Sequence, residues 1–179
     1  MIRYLGFFVL LVMIALPSYA FAAAEVGKQI PHALNLKDQK NKLRSFEELH
    51  GEKGTVIVFV RSVDWCPYCQ AQLIDLRDSA EKITDLGYTI VTVSYDRPEV
   101  LAKFSRKHNF SHTMLSDEGS VAIKAFGILN EEFNPDHFAY GVPHPYIYVV
   151  GNDKVIRVIL SEEGYKNRPQ VDAIVGALK

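Results

Sequence analysis

Residues 55–69 read Thr55-Val56-Ile57-Val58-Phe59-Val60-Arg61-Ser62-Val63-Asp64-Trp65-Cys66-Pro67-Tyr68-Cys69. The first six are β-branched or aromatic, bounded by Gly54 and Arg61. An apolar run of that length without alternation leaves no side for water, so it describes a central strand buried on both faces. Two cysteines three residues apart follow at its C-terminal end. Pro67 between them suits the first position of a helix, where a missing N–H costs nothing.

Working outward, Cys69, Leu73, Leu76, Ala80 and Ile83 recur at spacings of three and four, with Asp75, Arg77, Asp78, Glu81 and Lys82 on the other face. One helix ending at Gly87 is expected. Residues 88–94 (YTIVTVS) form a second buried strand. Pro98 opens a helix over 99–108, residues 113–115 are extended, and Ser116-Asp117-Glu118 cap a helix over 120–126 that Gly127 stops. Residues 146–150 and 155–160 make a hairpin across Gly151-Asn152-Asp153-Lys154, and Pro169 starts a last helix with Val171, Ile174, Val175 and Leu178 inward. Upstream, residues 33–36 and 43–46 pair about a turn at 37–42, and Ser45 with Glu48 fits a capping box. The chain is therefore α/β, a central mixed β-sheet flanked by helices with an N-terminal hairpin extension. A strand–helix–strand unit with Cys-x-x-Cys at the first strand's end points to a thioredoxin-like fold.

The first residues read differently. A short positive start (Arg3), an apolar run over residues 5–16, a break at Pro17-Ser18 and small residues at Ala20-Phe21-Ala22 have the pattern of a secretory signal, residues 1–22, cleaved after Ala22. An uncleaved membrane anchor is the alternative, although the run is shorter than the roughly 20 residues of a spanning helix. A lipoprotein anchor would need a cysteine at the cleavage site. Residues 23–179 then make one domain, large enough to bury a core without disulfide staples. The formal net charge is −1 in a chain of 179 residues, with no basic tract, which argues against nucleic acid as a partner. The expected location is periplasmic or secreted.

Export gives the cysteines their meaning. A stabilising disulfide closes a long loop, and a Cys66–Cys69 bridge closes almost none, so stapling is a poor use of it. A thiol–disulfide cycle is the better one. Cys66 at a helix N-terminus faces unsatisfied backbone N–H groups and the positive end of the dipole, which favour its thiolate and make it the attacking sulfur. Cys69, one turn inside, is the resolving thiol. Trp65 either shields the site or simply packs, and Tyr68 between the sulfurs tunes their redox poise. Asp64 and Arg61 flank the pair, where they either influence proton transfer or are merely solvated. Pro145, directly before the 146–150 strand, either marks the strand's start or, as a thioredoxin-like fold implies and preferred here over Pro143, is a cis-proline that packs on the dithiol and presents backbone to an extended substrate. His108 and His112 read as surface residues.

Trp65-Cys66-Pro67-Tyr68-Cys69, the strand before it and Pro145-Tyr146-Ile147-Tyr148-Val149-Val150 resemble the thioredoxin-like superfamily. Val93-Ser94-Tyr95-Asp96, Leu115-Ser116-Asp117, Ala125-Phe126-Gly127-Ile128 and the arm over residues 26–49 are similar to its AhpC/TSA (redoxin, peroxiredoxin-like) branch. The resemblance departs at two points. Peroxiredoxins carry Pro-x-x-x-Thr/Ser-x-x-Cys, and the matching positions here are Phe59 and Val63. The partner cysteine at position 69 is also unusual there, and the site is more similar to thioredoxin and to TlpA-type periplasmic oxidoreductases.

The leading expectation is therefore an exported thiol–disulfide oxidoreductase, with Cys66 and Cys69 catalytic and Trp65, Pro67, Tyr68 and Pro145 positioning the substrate. Its partners are protein thiols or disulfides and an external thiol electron donor, and no cofactor or metal is required. The alternative is a thiol peroxidase acting on hydroperoxides, with Cys66 peroxidatic and Cys69 resolving. A third reading, a copper-binding thioredoxin-fold chaperone, would recruit His137 or His144 to the thiolates.

Overall fold

The computed structural model describes residues 24–164 and 166–179; the signal read over residues 1–22 lies outside them. The chain runs β1 (Leu36–Asp38), β2 (Leu43–Arg44), α1 (Phe46–Leu49), β3 (Gly54–Phe59), α2 (Pro67–Asp78), α3 (Glu81–Thr84), β4 (Tyr88–Ser94), α4 (Pro98–Lys107), β5 (Thr113–Ser116), α5 (Val121–Ala125), β6 (Ile147–Gly151), β7 (Ile156–Leu160) and α6 (Val171–Ala177). The sheet order is β2-β1-β5-β4-β3-β6-β7. β3, β4 and β5 are parallel neighbours, whereas β1 on β5, β6 on β3 and β7 on β6 are antiparallel. This is the mixed sheet with an N-terminal hairpin that the hydrophobic pattern predicts, in the thioredoxin-like arrangement.

β3 sits inside the sheet and all six of its residues are buried. Because successive side chains point to opposite faces, it feeds two cores. Val56 and Val58 face Leu73 and Leu76 of α2, Leu101 and Phe104 of α4, and Ile174 of α6. Ile57 and Phe59 face Phe46 of α1, Ile123 of α5, and Phe126 and Tyr148. Phe59 stands 4.9 Å from the Phe126 ring and 5.8 Å from Tyr148. The position that carries a peroxide-pocket proline in peroxiredoxins is thus an aromatic core residue here. It lies on the face opposite the cysteines, which belong to the α2 side.

Local chemistry sets the element ends. Pro98 opens α4 at its first turn. Asp117 takes the backbone N–H groups of Val121, Ala122 and Ile123 at 2.8, 3.2 and 2.8 Å, capping α5. Ser45 and Glu48 form the capping box on α1. Three boundaries differ from expectation. The first hairpin strand, expected over 33–36, is Leu36–Asp38, because Leu34 turns the chain with a φ of 52°. The single helix expected to reach Gly87 is two, because the chain leaves helical geometry at Ser79 (φ −113°, ψ 11°), where Asp78-Ser79 places two weak helix formers together. Pro169 does not start the last helix. Gln170 is its cap and Pro169 is buried just before it.

Candidate functional site

The loop from β3 to α2 carries the cysteines, and it is fixed from both sides. Asp96, just past the end of β4, is buried behind it. One carboxylate oxygen accepts the Ser62 hydroxyl at 2.8 Å, and the other accepts the Val63 N–H at 2.7 Å and the Ser94 hydroxyl at 2.9 Å. Ser62 Oγ in turn accepts the N–H groups of Asp64 (3.0 Å) and Trp65 (3.4 Å). From the helix side, the Gln70 amide donates to the carbonyls of Val63 (2.9 Å) and Asp64 (2.8 Å). Burial pushes the Asp96 carboxyl above its ordinary range, and the three hydrogen bonds pull it back.

This loop delivers Cys66 to the N-cap of α2 in extended geometry, with Pro67 in the first turn. Cys66 and Cys69 form a disulfide, with Cα atoms 5.3 Å apart. The Cys69 N–H points at Cys66 Sγ from 3.2 Å, as an orphan donor of the first turn does toward an anion. Cys66 shares a cleft of about 380 Å³ with Arg61, Trp65, Pro67, Tyr68, Glu132 and Phe133. Cys69 is fully buried. Cys66 is itself only 2 % exposed, so the two differ in that Cys66 lines the cleft and Cys69 does not.

Trp65 does more than pack. Its indole N–H donates to the Tyr95 hydroxyl at 2.8 Å, and its ring meets Phe138 edge-on at 5.2 Å. Tyr95 donates on to the Phe138 carbonyl at 3.3 Å, tying the loop before β6 to the site. Burial raises the Tyr95 phenol above its ordinary value. Tyr68 is 41 % exposed at the cleft rim. Arg61 departs from the solvated alternative. It is buried, with its guanidinium 5.2 Å from the Trp65 ring and 5.4 Å from Phe133. Asp64 stays exposed. Arg168, which no sequence signal marked, brings Nη2 to 3.5 Å from Cys69 Sγ.

Pro145 is buried but lines a neighbouring cleft with Asn130, His144 and Tyr146, which shares only Glu132 with the Cys66 cleft. The cis bond expected there is not formed: all peptide bonds among the described residues are trans. The physical reason lies in the neighbouring backbone. His144 N–H bonds the Ile128 carbonyl at 2.7 Å, Asn130 N–H bonds Val142 at 2.9 Å, and Leu129 pairs with Pro143, so the segment runs extended against residues 128–130 without a tight turn. His137 accepts the Ala139 N–H at 3.1 Å and stacks against Phe133 at 4.6 Å, and His144 is exposed. Among the described residues no group of three or more His, Cys, Asp or Glu side chains is placed to hold a metal ion. His112 is partly buried rather than on the open surface. Its ring lies 4.4 Å from Phe110, and burial lowers its pKa to about 4.

Of the residues that complete the site, Asp96 and Ser94 carry a signal: they stand two apart at a strand's C-terminal end, on the side that faces the cysteine loop. Phe133, Phe138 and Arg168 have none, because they come from loops far along the chain.

The chain is similar to known proteins in sequence and in fold. Peroxiredoxin Q, chloroplastic, of Populus jackii is 31% identical over 141 residues, covering 78% of this chain and 62% of that protein. The chain therefore spans less than two thirds of the length of that relative. Peroxiredoxin Bcp of Escherichia coli is 25% identical over 145 residues, 81% of this chain and 90% of that one. In fold, the crystal structure of peroxidoxin BcpB from Mycobacterium tuberculosis superposes with a TM-score of 0.71 at 19% identity, over 87% of this chain and 96% of that one. The AhpC/TSA family model matches residues 26–159. Since that match runs from the N-terminal arm through the cysteine loop and into the outer strand β7, the chain belongs to the AhpC/TSA family.

Proposed function

We propose that the protein is a thiol peroxidase that runs on a Cys66–Cys69 dithiol–disulfide cycle and is reduced by an external thiol. The observation that carries this reading is the asymmetry of the pair: Cys66 caps a helix and lines a cleft beside Arg61, whereas Cys69, one turn behind it, does not line that cleft. The Cys66 thiolate attacks the outer oxygen of a hydroperoxide, breaking the O–O bond to give Cys66 sulfenic acid and an alcohol. Cys69 attacks that sulfur, forming the disulfide and releasing water. Two donor thiols then restore the dithiol and leave as a disulfide. The relatives' names support placing the peroxidase ahead of general dithiol exchange, which reverses the order expected from the cysteine motif.

Dithiol exchange with protein disulfides keeps one observation in its favour. Val63, where peroxiredoxins hold a hydroxyl, is buried with an apolar side chain, and its polar contacts are made by its backbone alone, the N–H to Asp96 and the carbonyl from Gln70. The apolar run at residues 5–16 supports export of a mature chain that begins at Ala23, which the N-terminal mass of protein secreted by a host cell tests directly.

Hydroperoxide consumption with dithiothreitol, run beside reduction of insulin, separates the activities. The proposal expects peroxide turnover that Cys66→Ser abolishes. Insulin reduction with a peroxide rate no faster than free thiol would return the dithiol reductase to first place.

A further inference from the structure

The segment joining β7 to α6 lies beyond the residues that match the family, yet it reaches the reacting sulfurs. Arg168 Nη2 donates to Cys69 Sγ at 3.5 Å, and Nη1 donates to the Asn167 carbonyl at 2.7 Å. Arg168 is partly buried and Pro169 beside it is buried, which anchors the guanidinium. The two sulfurs face different surroundings. Cys66 opens to the Arg61–Trp65–Phe133 cleft. Cys69 is fully buried on α2, and Arg168 lines a wider groove, about 880 Å³, between that helix and residues 162 and 166–170. A donor thiol entering the cleft meets Cys66 first, so the sulfur that must depart is Cys69.

We propose that Arg168 is a catalytic residue of disulfide reduction, holding Cys69 as the thiolate leaving group. The proposal rests on the dithiol–disulfide cycle put forward above, not on the identity of the oxidant. A donor thiolate attacks Cys66 Sγ, a mixed disulfide forms there, and the Cys66–Cys69 bond breaks with its electron pair on Cys69 Sγ. Arg168 meets that charge with a full cation and an N–H already in place. A second donor thiolate attacks the donor sulfur of the mixed disulfide, releasing the oxidised donor and the Cys66 thiolate. Two electrons come from two donor thiols, and their protons pass through solvent to the cysteines. Exchange is faster when the leaving thiol is the better-stabilised anion.

Burial, and repulsion from Arg61, lower the Arg168 pKa to about 10, which leaves it a cation at neutral pH. Other charges also surround the pair. Arg61 and Glu132 lie at the Cys66 cleft, and Asp96 stands behind the loop. Asp75, Asp78, Glu162 and Lys166 border the groove. Arg168 is set apart from these by its direct N–H contact with the sulfur.

The test reduces the oxidised protein with dithiothreitol from pH 6 to pH 9, following the fluorescence of Trp65, the single tryptophan. Wild type is compared with Arg168→Gln, with Arg168→Met, which keeps an apolar stem if the glutamine variant folds poorly, and with Arg168→Lys. The neutral variants are expected to react roughly tenfold more slowly per donor thiolate at every pH, with the lysine variant recovering most of the rate. In a Cys66→Ser background, the thiolate absorbance of Cys69 at about 240 nm, which needs no access by a reagent, is expected to titrate about one pH unit higher without the cation. Folded neutral variants that match wild type in both readouts, or a lysine variant as slow as they are, would overturn the proposal. Hydroperoxide is absent throughout, so failure of the peroxidase reading leaves this result standing.

Discussion

Cys66 and Cys69 differ by what the chain places around each. Both are buried, but Cys66 caps the helix and lines a cleft, and Cys69 does not line it. That difference predicts unequal consequences of substitution. Cys66→Ser removes all reaction with hydroperoxide. Cys69→Ser leaves the first step intact but halts at Cys66 sulfenic acid, detected as a dimedone adduct by mass spectrometry. Asp96 is the second residue on which the site depends, through its bonds to Ser62, Val63 and Ser94. Asp96→Ala leaves those buried donors without their acceptor, at a cost of about 2–4 kcal/mol in urea unfolding, and slows peroxide turnover by loosening the loop. Asp96→Asn, which retains an acceptor oxygen, should lose less than half as much. The motif made the cysteines plain in the sequence. Arg61 was seen but its burial was not, since a charge after a strand is ordinarily solvated, and the rings of Trp65 and Phe133 that it meets come from elsewhere in the chain.

At the scale of elements, β3, β4, α4 and the β6–β7 hairpin were legible because apolar runs, Pro98 and the Gly151–Lys154 turn each carry a local cause. The break at Ser79 was not, because the apolar spacing continues through it to Ile83 while the backbone does not. The trans course of Pro145 was equally hidden, being set by pairing with residues 128–130 rather than by anything adjacent. Gly54 shows how closely the central strand is fitted. Its φ is 151°, and a Cβ there would collide with the Val150 carbonyl oxygen on β6. Gly54→Ala is therefore expected to destabilise the fold by at least about 2 kcal/mol, read as a lower urea midpoint with unchanged slope.

Over the whole molecule, the two-sided sheet follows from β3 being apolar on both faces, while the contribution of the chain's last third to the site does not follow from any local pattern. Arg168 and α6 close the cysteine side of the core from outside the family-matched region. Burial of histidine also makes global stability depend on pH. The folded protein holds His112 neutral down to about pH 4, against an ordinary value of 6.5, and burial lowers His32 as well, with Asp117 opposing. The unfolded chain binds these protons first, so the contribution is complete above pH 6.5 and lost as pH falls toward 4. For His112 the loss is about 1.4 kcal/mol per pH unit across that window, about 3 kcal/mol in all. Urea midpoints from pH 7.5 to pH 4 should fall accordingly, and His112→Gln should flatten the slope.

The cycle itself is tested most directly in a single turnover. Fully reduced protein is mixed with an equal amount of hydroperoxide, peroxide loss is followed by stopped flow, and the product is weighed intact. One peroxide should disappear for each Cys66–Cys69 disulfide formed, at least a hundredfold faster than with free cysteine, and not at all in Cys66→Ser. Peroxide loss at the free-thiol rate, or undiminished loss in Cys66→Ser, would contradict it.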